Sequence, residues 1–320
     1  MIVGILILVI FGVSCSGESV VSSDLEGDNV SKLQVVATTS LIGDVAAEIG
    51  GEWIDLEILL GPGSNPHSFQ PSPQDVIRIS EAEIIFANGF NLEYFLEDMI
   101  ENAGGEGEVV VVSRGIEGLY YAADGDHDHG DDDHEDENSS SEEAVDPHVW
   151  LNPHNVLIWT ENIEAALTAR DPDHGDQYRQ NAAVYREELV ELDRWIREQL
   201  EKIPSGQRKV VTDHQSFSYF AEEYGFESVG AVISAPTTEA QPSGRELAEL
   251  EDQIRARDVQ VMLVGKDFDP TLAARIAEDT GIQVVSLYFG SLTGQDGPAP
   301  TYLDFMRYNV NAIIDAMGKK

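Results

Sequence analysis

Strand-like and helix-like stretches alternate twice along this chain, and one long amphipathic pattern separates the two series. In the first series, β-branched runs at 33–39, 54–60, 83–87 and 109–112 predict strands, and helical periodicity appears at 41–49 and 92–102. A further helix opens at Ser72-Pro73-Gln74-Asp75, with Ser72 as N-cap and Pro73 at the first helical position. In the second series, strands are predicted at 209–212, 228–233, 259–264 and 283–287. Helices are predicted through Phe217, Phe220, Ala221 and Tyr224, from the capping box Ser243-Gly244-Arg245-Glu246, at 272–280 and at 302–317. Such alternation implies parallel sheets with crossover connections.

The pattern between the series runs from about 177 to 202. Tyr178, Ala182, Val184, Tyr185, Leu189, Leu192, Ile196 and Leu200 recur at helical spacing, with no interior Gly or Pro to kink it. At 1.5 Å per residue it predicts a helix about 35–40 Å long. No stretch of linker composition divides the chain here, so the helix itself is expected to join the halves. The fold class is therefore α/β: two lobes with parallel sheets flanked by helices, bridged by one long rigid helix.

A chain of 320 residues can build two substantial cores. Its formal charge of −40 argues against nucleic acid or an anionic membrane surface as a direct partner, and suits attraction of cations, the alternative being a solubility adaptation of a secreted protein. Cys15 is the single cysteine, so no internal disulfide forms. It follows an apolar run, 2–14, that is shorter than the roughly 20 residues of a spanning helix but has the length of a signal-peptide core. Gly12-Val13-Ser14-Cys15 resembles a bacterial lipobox, although Gly12 stands where Leu is usual and no basic residue precedes the run. Residues 1–15 are read as a signal peptide with Cys15 as the lipidation site, the alternatives being ordinary cleavage or an uncleaved anchor. Residues 16–31 are read as a flexible tether, 32–172 as the first lobe, 173–204 as the bridging helix and 205–320 as the second lobe. Within the first lobe, the acidic tract at 123–145 has too few apolar residues to fold by burial.

Six of the eight histidines fall in four places: His67 before Ser-Phe-Gln-Pro-Ser-Pro, His148 in Asp-Pro-His-Val-Trp-Leu-Asn-Pro, His214 in Thr-Asp-His-Gln-Ser-Phe, and His127, His129 and His134 in the acidic tract. The first three sit where strands exit or helices begin, which is where α/β folds place ligands. Three neutral imidazoles converging in a cleft would suit a borderline-soft divalent metal, zinc above all.

Taken in order, these segments resemble the metal-binding solute-binding proteins of ABC importers for zinc and manganese. The likeness includes Phe217-Ser218-Tyr219-Phe220-Ala221-Glu222-Glu223-Tyr224-Gly225, Thr238-Glu239-Ala240-Gln241-Pro242-Ser243 and the tail from Thr301 to Val310, and covers nearly everything from Leu33 onward. It implies extracytoplasmic capture of a divalent metal for a membrane permease, with no enzyme activity. It also implies a monomer touching the membrane through a lipid anchor only.

The resemblance makes His67, His148 and His214 metal ligands. Manganese-binding relatives place a carboxylate at the third histidine position and another late in the chain. Here the third is His214, and the late position falls at Gly290, which has no side chain; Asp296 is a nearby substitute, and water is the simpler fourth ligand. This donor set favours zinc over manganese. Asp146 and Asp213 could orient ligand rings, or simply cap turns. His154 and His174 are expected to be structural, and Trp150 to pack in the cleft wall. His127, His129 and His134 lie where zinc-specific relatives carry a His-rich loop, which implies weak auxiliary metal capture; a charged insertion with incidental histidines is the alternative. The competing functions are a manganese carrier of the same family, a zinc hydrolase, and an adhesin or metallochaperone on the same fold. A hydrolase lacks support, because there is no His-Glu-x-x-His helix and no Glu base beside a ligand.

Overall fold

The computed structural model describes residues 32–120, 145–235, 237–238, 240–266 and 268–318. Cys15, His127, His129 and His134 lie outside the described residues.

The first lobe holds β1 (Leu33–Thr39), α1 (Ser40–Gly50), β2 (Ile54–Leu60), α2 (Pro73–Glu81), β3 (Ile84–Ala87), α3 (Leu96–Ala103) and β4 (Glu108–Val111). Two helices follow, α4 (Pro153–Arg170) and the 26-residue α5 (Gly175–Leu200). The second lobe holds β5 (Lys209–His214), α6 (Ser218–Tyr224), β6 (Glu227–Ile233), α7 (Gly244–Arg257), β7 (Val261–Gly265), α8 (Pro270–Thr280), β8 (Gln283–Leu287) and α9 (Tyr302–Met317).

Each lobe is built on a four-stranded sheet, ordered β2-β1-β3-β4 in the first and β6-β5-β7-β8 in the second, and every pairing is parallel. In both sheets the chain reverses direction across the sheet after its second strand. That reversal opens a crevice at the carboxyl ends of the strands, the usual ligand position in such sheets.

The bridging helix α5 buries Tyr178, Ala182, Tyr185, Leu189, Leu192, Ile196 and Leu200. Val184, expected on that stripe, is 54% exposed. One residue turns a helix by about 100°, so Val184 stands about 100° from Tyr185 and about 200° from Ala182, off the centre of the buried stripe. The stripe packs against α1 of the first lobe, α4, and α9 of the second lobe. One hydrophobic cluster therefore runs through both lobes.

The helix expected at 92–102 starts later, at Leu96. Gly89, Phe90 and Asn91 all have positive φ (86°, 50° and 61°), so the chain leaves β3 in a left-handed turn, and Leu92 and Leu96 then close tight turns by bonding the Gly89 and Glu93 carbonyls before the helix begins. Buried Glu93 holds this left-handed turn by accepting from the Asn88 and Gly89 amides and the Thr38 hydroxyl. The two capping boxes form at α2 and α7, with Asp75 and Glu246 closing them.

Candidate metal centre

His67 lies just beyond the carboxyl end of β2, in a short 3-10 helix, Pro66–Ser68. The Asn65 side chain caps it by accepting from the His67 amide at 2.9 Å, and donates to Thr238 Oγ1 of the second lobe at 2.9 Å. His214 is the last residue of β5. His148 precedes the 3-10 turn Val149–Leu151, which leads into α4 through the Asn152 cap.

The segment carrying His148 is held from several sides. Asn88 donates to the Pro147 carbonyl at 3.0 Å, Tyr219 to the Asp146 carbonyl at 2.9 Å, and Tyr302 to the Trp150 carbonyl at 2.7 Å. The Trp150 indole donates to the Phe289 carbonyl at 2.6 Å. Trp150 is buried and meets the His148 ring edge-on at 5.3 Å; it packs behind His148 in the core and, contrary to expectation, does not line the pocket.

These supports bring three imidazoles together. His148 Nε2 stands 3.1 Å from His67 Nε2 and 3.2 Å from His214 Nε2. His148 Nδ1 pairs with Asp146 Oδ1 at 2.7 Å, and His214 Nδ1 with Asp213 Oδ1 at 2.7 Å. A carboxylate can only accept, so each Nδ1 carries the proton and each Nε2 presents a lone pair. Two bare nitrogens facing at 3.2 Å repel unless a cation lies between them. Tetrahedral zinc with nitrogen at 2.0–2.1 Å would place its ligands about 3.3 Å apart, close to the observed spacing. The aspartates therefore orient the two imidazole rings, and neither serves as a helix N-cap. Each also takes the amide of its histidine, and Asp213 Oδ2 accepts from the Gly265 amide at 2.5 Å, tying the end of β5 to β7.

Burial, reinforced by the neighbouring His148 and His214, pushes the His67 imidazole down to about 2. Burial also lowers His148, and outweighs the opposing pull of Asp146. Burial opposes charge on Asp146 too, yet the hydrogen bonds from the His148 ring and amide and from Ser218 hold its carboxyl below the ordinary value. Around neutral pH, His67 and His148 are thus uncharged, the form a metal requires.

The three rings line a pocket of about 80 Å³ with Asn65, Pro66, Thr238, Lys266, Tyr288 and Gly290 among its walls. Among the described residues no carboxylate lines it, and Asp296 does not reach it. Gly290 stands at the wall, where an added Cβ would come within 2.9 Å of Pro66, beside His67. A side chain there requires the Pro66 turn to move.

The remaining described histidines stay apart from this cluster. His174 bonds Asp171 at 2.7 Å and stacks on Trp53 at 4.0 Å. His154 is exposed, 3.9 Å from Asp193 and 3.5 Å from Glu223. That trio has the makings of a cation site. Arg197 already fills the role, bonding both Asp193 and Glu223. Sequence reasoning missed Lys266, Tyr219 and Tyr302, whose relation to the site depends on chain crossings that no local spacing records.

Residues 35–316 match the family described as ZnuA, zinc-uptake complex component A, periplasmic. The chain belongs to this family. It is a family of substrate-binding transport proteins, not of enzymes. The iron-binding protein YfeA of Yersinia pestis is 31% identical over 293 residues, covering 91% of this chain and 88% of that protein. The manganese ABC transporter substrate-binding lipoprotein PsaA of Streptococcus pneumoniae is 31% identical over 295 residues, covering 90% of each. Among solved structures, a manganese-bound periplasmic metal binding protein from Candidatus Liberibacter asiaticus aligns with TM-score 0.77 and 27% identity over 89% of this chain and all of that one. The periplasmic zinc binding protein TroA of Treponema pallidum, 23% identical, shares the fold with TM-score 0.76 over 90% of this chain and all of that one.

Proposed function

We propose that this protein captures one divalent metal ion outside the cytoplasm, zinc in preference to manganese, and delivers it to the permease of an ABC importer. His67, His148 and His214 are the protein ligands, and water is the simplest fourth. The observation that carries this reading is the facing of three Nε2 atoms, two of them fixed as lone-pair donors by Asp146 and Asp213. The choice of zinc rests on the all-imidazole donor set, since manganese favours oxygen ligands. Relatives named for manganese and iron make manganese the second reading.

Cys15 anchors the chain by a lipid, and residues 16–31 tether it. Related family members are named as lipoproteins, and no helix among the described residues is long and apolar enough to cross a membrane. His127, His129 and His134 bind further metal loosely. The test is metal analysis of natively purified protein, followed by competitive titration with zinc and manganese. Zinc at one equivalent, displacing manganese, supports the proposal. Native manganese that zinc cannot displace would reverse the assignment.

A further inference from the structure

Three facts about the pocket remain unused by a three-histidine site completed by water. The first is its charge. Among the described lining residues Lys266 is the one side chain with a permanent positive charge, and no described carboxylate joins it. A permanent positive charge beside a cation site weakens capture by Coulomb repulsion unless an anion shares the space.

The second is the placement of Lys266. It follows β7, and its amide bonds to the Leu287 carbonyl at 3.1 Å. Its ammonium lies over the rings of Tyr288 and Tyr308, 5.5 and 5.6 Å from their centroids. Among the described residues no carboxylate lies within ion-pair distance of it. Lys266 is exposed, so solvent screens its charge, and contacts with two aromatic faces keep the ammonium along the Tyr288 wall without neutralising it.

The third is room. The pocket's volume of about 80 Å³ exceeds the roughly 10–15 Å³ that a single water needs. Gly290 contributes no donor, and its contact with Pro66 keeps that wall closed to a side chain.

We propose that the fourth metal position is filled by a small oxygen-donor monoanion taken from solution, a carboxylate or bicarbonate, held between the metal and Lys266. The inference rests on the three-histidine reading and extends it. Among the described residues, a divalent metal on neutral imidazoles is balanced by the two carboxylates behind the rings, Asp146 and Asp213, and Lys266 stands at the pocket as a positive charge without a described carboxylate partner. Metal capture thereby becomes anion-coupled: the anion tightens the bound metal, and its loss frees one coordination position.

The test uses the full chain loaded with cobalt(II), whose visible bands report coordination, in buffer free of coordinating anions. Sodium acetate and sodium bicarbonate are titrated separately. A saturable change in the bands with either anion supports the proposal, and the anion that produces it identifies the source. Lys266→Met is expected to raise the half-saturating anion concentration about tenfold, the loss of one charge-assisted contact, while Lys266→Arg largely restores it. The proposal is overturned if neither anion changes the bands, or if Lys266→Met responds like the parent. Failure of the parent to take up cobalt at all would instead overturn the three-histidine site.

Discussion

The indole of Trp150 donates to the backbone carbonyl of Phe289 at 2.6 Å, joining the segment that carries His148 to the loop that follows β8. The bond is buried, and Tyr302 of α9 holds the Trp150 carbonyl from the other side. With α5 packed on helices of both lobes, these links resist hinge opening. Spin labels on the two lobes should therefore report a change of only a few Å between zinc-loaded and zinc-free protein; a closure of about 10 Å or more, as in hinged binding proteins, would contradict this. Trp150→Phe leaves the Phe289 carbonyl buried without its donor. It should lower unfolding free energy by about 1–3 kcal/mol in denaturant titration and broaden the inter-lobe distance distribution.

Asp213 has two tasks, fixing the His214 ring and holding the Gly265 amide. Asp213→Asn preserves size but offers a weaker acceptor and lets the imidazole choose the other tautomer. Zinc affinity should drop about 10–100-fold by competitive titration, with little change in fold by circular dichroism. Asp146→Asn should act alike through His148. Unaltered affinity in both variants would mean that the ring orientations do not depend on these carboxylates.

Asp44 of α1 accepts from the Tyr302 amide at the start of α9 at 2.8 Å, so it sits at a contact between the lobes. Burial pushes its carboxyl up to about 7 from an ordinary 3.8, and the negative charges of Glu48 and Asp304 add to the rise against the Tyr302 hydrogen bond. A raised folded value means that the folded state holds a proton the unfolded chain has released. This contribution to stability is full below pH 3.8 and is lost as pH rises through about 7. Thermal unfolding from pH 5 to 8 should show the melting temperature of the parent falling relative to Asp44→Asn. Parallel curves for the two proteins would sink the assignment.

Much of the fold was legible because local chemistry decides it. Ser72 and Ser243 announce α2 and α7, and the stripe on α5 is long enough to read despite the misplaced Val184. The start of α8 carried the same kind of signal, Asp269 capping and Pro270 at the first position, but its apolar periodicity begins only at Leu272. The α3 boundary was not legible, because the turn at Gly89-Phe90-Asn91 depends on Glu93 reaching back into the core and on Thr38 of β1. At the site, each histidine was visible in its own segment. Their convergence was not, since His67, His148 and His214 are 81 and 66 residues apart and meet only through two sheets and their crossovers. Lys266 was opaque for the same reason, since its meaning lies in what stands across the pocket, whereas Gly290 was located by the resemblance alone.

The central claim is that one metal ion sits among His67, His148 and His214. Crystals of the zinc-loaded protein, measured on either side of the zinc absorption edge, test it most directly. The account predicts a strong anomalous peak about 2.0–2.1 Å from the Nε2 atoms of all three histidines. A strong peak at His154, Asp193 and Glu223 with none between the three imidazoles would contradict it.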